Sequence, residues 1–134
     1  MMSDSAASSA SVKIGLPLSR WHIHMINGLS GNQVWTVHCR SKNDDLGEHN
    51  ITVGAEFTWT FKQNYWGTTL FWCNTRVANH QQHADFQAFW SGSKLLEKSC
   101  KKKTSRNCFW TAKDDGIYLK NIPAKKDDLM HKWE

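Results

Sequence analysis

The stretch Glu56–Thr75, EFTWTFKQNYWGTTLFWCNT, restricts what this chain can fold into more than any other part of it. Phe57, Trp59 and Phe61 alternate with Glu56, Thr58, Thr60 and Lys62, the period-2 pattern of a half-buried strand. QNYWG then makes a turn-like connection through Asn64 and Gly67. After it TTLFWC runs apolar and β-prone, as a strand covered on both faces does. A lone hairpin is only marginally stable in water, so two such aromatic strands require further strands packed on them.

Those strands are legible along the chain. Trp21–Ile26 sets Trp21, Ile23 and Met25 against His22, His24 and Ile26, and the glycines of Asn27–Asn32 end it. Gln33–Cys39 puts Trp35, Val37 and Cys39 on one face and Val34, Thr36 and His38 on the other. Arg40–His49 reads as a polar loop before a short strand, Asn50–Val53. Asp85–Trp90 directs Phe86, Ala88 and Trp90 inward. Ser91–Asn107 is a basic connection, and Cys108–Ala112 with Gly116–Lys120 forms a last hairpin around Asp114-Asp115-Gly116. About eight short strands at regular spacing, with no helical periodicity, argue for an antiparallel sandwich or barrel.

With 134 residues the chain suits one domain, 21–120, between a flexible N-terminal segment, 1–20, and a charged tail, 121–134, frayed or loosely docked. Four cysteines, Cys39, Cys73, Cys100 and Cys108, include no Cys-x-x-Cys pair; they read as two disulfides formed in an oxidising compartment. Met1–Arg20 lacks the apolar core of a signal peptide, so the chain is expected to be a mature secreted form with its leader removed or replaced. No apolar run approaches the ~20 residues of a membrane-spanning helix. Net charge is +5, which favours acidic partners such as cell-wall polymers, anionic lipid surfaces or an acidic receptor.

Four segments in register with the cysteines carry a family resemblance. VHCRSKNDDLG at 37–47 is similar to the VHC-x-SK-x-DDLG signature of the plant self-incompatibility protein homologues, relatives of the poppy stigma determinant. TTLFWC at 68–73, FQAFW at 86–90 and CFWTAKDDGIYL at 108–119 resemble three later segments of that family. The spacing from Cys100 to Cys108 departs from the pattern through a lysine-rich insert. The resemblance implies an all-β antiparallel β-sandwich of about eight short strands, stapled by two disulfides. It also implies secretion, no catalytic activity and a ligand or signalling role. Self-incompatibility itself does not transfer with a fold.

Candidate sites are few. The acidic pairs in DDLG and DDG suit turn chemistry, because adjacent carboxylates in extended chain point apart. His22 with His24, and His80 with His83, lack a third ligand at metal-binding spacing, so no metal, cofactor or enzymatic role is expected. Lys98, Lys101, Lys102, Lys103 and Arg106 lie between two half-cystines and are the candidate partner-binding run. Tyr65 and Trp66, at a hairpin tip, are candidates for stacking on cell-wall sugars. Asn50-Ile51-Thr52 fits the N-glycosylation pattern, making Asn50 a candidate acceptor. The expected protein is a monomeric extracellular ligand for a membrane receptor or other acidic partner, with no nucleic acid. The alternative is a carbohydrate-binding module.

Four cysteines pair in three ways. Loop-closure entropy favours the nested pattern, Cys39–Cys108 with Cys73–Cys100, because the wide bridge closes the longer loop. Nothing in the residues excludes Cys39–Cys73 with Cys100–Cys108.

Overall fold

A computed structural model describes residues 20–134 apart from 65, 79 and 80, and lays ten strands and a short helix along them. They are β1 (Arg20–Asn27), β2 (Trp35–Arg40), β3 (Asp45–Ile51), β4 (Glu56–Lys62), β5 (Leu70–Val77) and β6 (Gln82–Trp90). After α1 (Lys94–Cys100) come β7 (Lys101–Lys102), β8 (Ser105–Lys113), β9 (Gly116–Asn121) and β10 (Lys126–Lys132). One sheet has the order β10-β9-β8-β1-β4 with β7 beside β8; the other has the order β3-β2-β5-β6. The expected segment 1–20 lies outside the described residues except for Arg20, which opens β1.

Period-2 alternation decides which residues enter the core. Trp21, Ile23 and Met25 of β1, Trp35, Val37 and Cys39 of β2, and Trp59 and Phe61 of β4 are buried as their spacing requires. Aromatic rings bridge the two sheets: Phe61 of β4 lies 4.8 Å from Phe71 of β5 and 4.7 Å from Phe89 of β6. Trp21 meets Phe89 edge-on at 4.8 Å. All neighbouring strands run antiparallel except β1 and β8, whose parallel register sets Ile23 beside Cys108 and Met25 beside Trp110. A parallel pair needs a long crossover, and the whole of the second sheet lies in that crossover.

Two strands differ from the sequence reading in which residues they bury. TTLFWC is not covered on both faces: Phe71 and Cys73 are buried while Leu70 and Trp72 are half-buried on the outer side. In β6, Phe71 pairs with Phe89 but Trp72 pairs with Gln87, so Ala88 is the extra residue of a bulge. The bulge shifts the phase. Ala88 and Phe89 are both buried, and Trp90, expected inward, turns half out. The Ala88 carbonyl then accepts a hydrogen bond from Trp110 Nε1 at 3.1 Å, joining the sheets.

Three further corrections follow from tertiary context. The supposed loop Arg40–His49 is largely strand, because β3 is an edge whose polar residues reach solvent. The basic connection contains α1, capped by Ser93, whose Oγ accepts from Leu96 N at 3.1 Å. The charged tail is an ordered edge strand paired to β9, and Glu134 exchanges backbone hydrogen bonds of 2.8 and 3.1 Å with His83 of β6. Gly116 has a second role there beyond the turn. A Cβ on it would collide with the His131 carbonyl oxygen of β10.

The disulfides are Cys39–Cys73 and Cys100–Cys108, not the nested pattern. Cys39 and Cys73 face each other across the β2–β5 ladder with Cα atoms 4.0 Å apart. Cys108 belongs to the other sheet, where α1 delivers Cys100 to within 4.8 Å between Cα atoms. Loop-closure entropy acts on the unfolded chain and does not choose which thiols meet. It does rank what each bond contributes. With separations of 34 and 8 residues, the chain-entropy relation gives about 4 kcal/mol for the first and about 2.5 for the second. Replacing Cys39 and Cys73 together by alanine should therefore lower the unfolding free energy read from urea titration more than replacing Cys100 and Cys108, with a steeper slope because the untied denatured chain exposes more surface.

His131 of β10 stacks on Phe86 at 5.1 Å, and its burial holds the imidazole pKa below its ordinary value. The unfolded chain then takes up the proton first as pH falls, so folding loses stability on acidification through about pH 6.5. His22, lowered mainly by burial and then by His24 and Arg20, acts in the same direction. Thermal melts should fall between about pH 7 and 5, and His131→Phe, which keeps the stacked ring, should reduce that slope.

Candidate functional site

The basic segment is built by a cap, a helix turn and a disulfide. α1 buries Leu96, Ser99 and Cys100 and leaves Lys94 and Lys98 on its solvent side. The Ser99 carbonyl accepts from Ile122 N at 2.8 Å, pinning the helix against the end of β9. The chain then turns through the β7–β8 hairpin, in which Lys101 pairs with Arg106 and Lys102 with Ser105. Lys103 occupies the left-handed region at φ 56° in the tight turn. The Cys100–Cys108 bond closes this hairpin at its base.

Lys98, Lys101, Lys102 and Lys103 are all exposed on it, as the candidate partner-binding run requires. Arg106 is not part of that surface. Its guanidinium sits 5.7 Å from the Trp21 ring and its Nε is 3.6 Å from Glu97 Oε2, an ion pair too long for a hydrogen bond. Residues 94–106 hold six cations against the single Glu97, a surplus of five, which equals the net charge of +5 for the whole chain. All other charges cancel. Sequence reading missed Lys94 and the helix that presents it, although Ser93 followed by Leu95 and Leu96 is a capping signal.

Trp66, between β4 and β5, is 78% exposed; Tyr65 lies outside the described residues. Beside this connection a groove of about 210 Å³ is lined by Lys42, Asn43, Asn64, Thr68 and Trp72 among others. Asn64 shapes it, accepting from Thr68 N at 2.9 Å and donating to Thr68 Oγ1 at 2.8 Å. Asn50 is exposed on edge strand β3; its Oδ1 accepts from Thr36 Oγ1 at 2.8 Å, a bond that leaves Nδ2 out.

The acidic pairs do turn chemistry. Asp45 accepts from Gly47 N at 2.9 Å and from His38, contacts that hold its carboxyl below the usual range. Asp114 accepts from Ser30 N at 3.0 Å, and Asp115 from the Tyr118 hydroxyl at 2.7 Å. On the outer face of the larger sheet, His24 lies between Glu56 Oε2 at 2.7 Å and Asn107 Oδ1 at 2.9 Å and stacks on Phe109 at 4.4 Å. Hydrogen bonds from His24 and then Thr58 hold the Glu56 carboxyl below its usual range. This set clamps β4, β1 and β8 together. Among the described residues no group of three or more His, Cys, Asp or Glu side chains gathers as a metal site, and His80 lies outside them.

Comparison with known proteins agrees with this architecture. The family model for plant self-incompatibility protein S1 matches residues 22–133. S-protein homolog 1 of Arabidopsis thaliana is 39% identical over 117 residues, 87% of this chain and 74% of that protein. S-protein homolog 74 of the same plant is 37% identical over the same shares. A solved structure of a self-incompatibility protein homologue, described as one of a widespread family of small, highly stable, secreted plant proteins, superposes with a TM-score of 0.64. It covers 90% of this chain and 98% of that one at 19% identity, a likeness of fold.

The hairpin geometry separates its cations by role. Replacing Lys101, Lys102 and Lys103 together by glutamate should leave the melting temperature nearly unchanged, because exposed charges contribute little. Arg106→Ala should lower stability by about 1–2 kcal/mol by removing its cover from Trp21, a difference that chemical denaturation reads directly.

Proposed function

This chain belongs to the plant self-incompatibility protein S1 family, and from that premise we propose that it is an extracellular ligand. It engages an acidic partner at the cell surface through the disulfide-closed basic hairpin. One observation carries the reading: the net charge of the whole protein resides in residues 94–106, on a segment braced by Cys100–Cys108. Bracing lowers the ordering cost of binding, which a free lysine loop meets in full. Two disulfides suit an oxidising compartment, and the matched solved structure is described as secreted. Asn50, exposed with Nδ2 outside its bond to Thr36, is the acceptor for a glycan on the β3 edge. Such a glycan shields that edge from strand addition.

A second reading is favoured by Trp66 alone. An indole exposed to 78% at a loop tip suits stacking on a sugar ring, which makes the protein a carbohydrate-binding module. Both are tested by offering the oxidised, full-length protein to plant plasma-membrane preparations and to a soluble glycan array. The ligand reading expects saturable, salt-sensitive membrane binding that the triple lysine-to-glutamate variant loses. Array binding that Trp66→Ala abolishes, with membranes ignored, transfers the function to sugar.

A further inference from the structure

Strand direction decides which loops share an end of the sandwich. Arg20 of β1 pairs with Lys62 of β4, and β8 runs parallel to β1 with Asn107 beside His22. Arg40 pairs with Asp45 and with Trp72, and Leu70 pairs with Trp90. One end therefore collects residues 41–44, 63, 64, 66–69 and the helix–hairpin of 91–104. Residues 122–125 join them, since Ile122 is bonded to Ser99.

Charge follows that division. Besides the basic hairpin, this end carries Arg20, Arg40, Lys42, Lys62, Lys125 and Lys126 against Asp44, Asp45 and Asp127. The opposite end holds Glu56, Asp114 and Asp115 of the β8–β9 turn and Glu134 beside His83, against Lys113 and Lys132. The molecule is a charge dipole along its strands. Trp66 stands at the basic end, whereas Val34 and Val53, two other exposed large apolar residues, flank the loops of the acidic end.

We infer that the basic end is a docking face for an anionic phospholipid bilayer, with Trp66 seated at headgroup level. The inference rests on the acidic-partner reading above and names the partner. The cations are spread over three loops and the strand ends beside them rather than along a channel, so their complement is a plane and not a single chain. Indole is the side chain that settles at the bilayer interface, apolar in body with one polar edge. Lysine ammonium groups around it are drawn to the negative surface potential within a Debye length. The groove lined by Lys42, Asn43, Asn64 and Thr68 offers ammonium, amide and hydroxyl groups to a phosphate headgroup. The acidic end points away from the membrane and fixes the orientation.

Co-sedimentation of the oxidised full chain with vesicles tests this. Partition onto phosphatidylcholine containing about 30 mol % phosphatidylserine should exceed that onto phosphatidylcholine alone by about tenfold or more. It should fall about tenfold between roughly 50 and 250 mM salt. Lys102→Glu and Lys132→Glu change net charge equally, but only the first should weaken partition, because Lys132 belongs to the far end of β10. Trp66→Ala should weaken it several-fold and remove tryptophan quenching by brominated lipid. Equal partition on neutral vesicles, equal effects of the two lysine variants, or quenching that survives Trp66→Ala overturns the proposal. Anionic vesicles ignored while polygalacturonate or intact cells bind in a salt-sensitive way overturns the lipid partner and leaves the acidic-partner reading standing. No binding to any of them removes both.

Discussion

The rings of Trp21, Phe89, Phe61, Phe71 and Trp59 touch in sequence from one sheet to the other, with centroids 4.7 to 5.5 Å apart. Every other feature depends on that chain of contacts. Each sheet has one apolar face, and neither face can be satisfied without the other. Truncating a buried ring of this kind typically costs about 3–5 kcal/mol, a large part of the about 5–15 kcal/mol by which a domain is stable. Trp110 adds direction to the packing, since its hydrogen bond to Ala88 fixes where along β6 the two sheets meet.

With the core carried by strands, the loops are released from structural duty, and at one end they hold charge instead. Six cations in thirteen residues repel one another, and a free loop would spread to relieve them. Here a buried helix face, the Ser99–Ile122 hydrogen bond and the Cys100–Cys108 bond oppose that spreading. The one cation facing inward, Arg106, is neutralised by Glu97 and laid over Trp21. Charge at this end is a property of architecture, because strand direction gathers lysines from four separate stretches of sequence.

What was legible in the residues and what was not divides along physical lines. β1, β2 and β4 were readable because each has one wet and one dry face, and alternation reports that directly. Cys39 and Phe61 are assigned to the core on the same ground. β3 and β10 were hidden because an edge strand keeps polar residues on both faces and so reads as loop or tail. The phase of Trp90 was hidden because a bulge at Ala88 is set by the partner strand, not by local sequence. The disulfide pairing failed for a similar reason: Cys39 and Cys73 meet through ladder register, a long-range fact. Of the candidate site, the lysine run was plain, but its company at one end was not, since Lys42 and Lys62 share an end with Lys102 only through topology.

The parallel β1–β8 pair imposes an order on biogenesis. β1 leaves the ribosome first, yet its partner β8 begins at Ser105, so the larger sheet lacks a central contact until most of the chain has been made. β2, β3, β5 and β6 all fall between Trp35 and Trp90, so the smaller sheet and its Cys39–Cys73 bond have every residue they need much earlier. Non-local pairing of this kind slows folding and prolongs exposure of apolar surface. During that interval Trp21, Trp59 and Phe61 of β1 and β4 are already present to cover Phe71 and Phe89, whereas Phe86 and the Ala88 carbonyl wait for Trp110 of β8. The part of the smaller sheet around Phe86 therefore stays uncovered until the strand that begins beside the basic hairpin arrives.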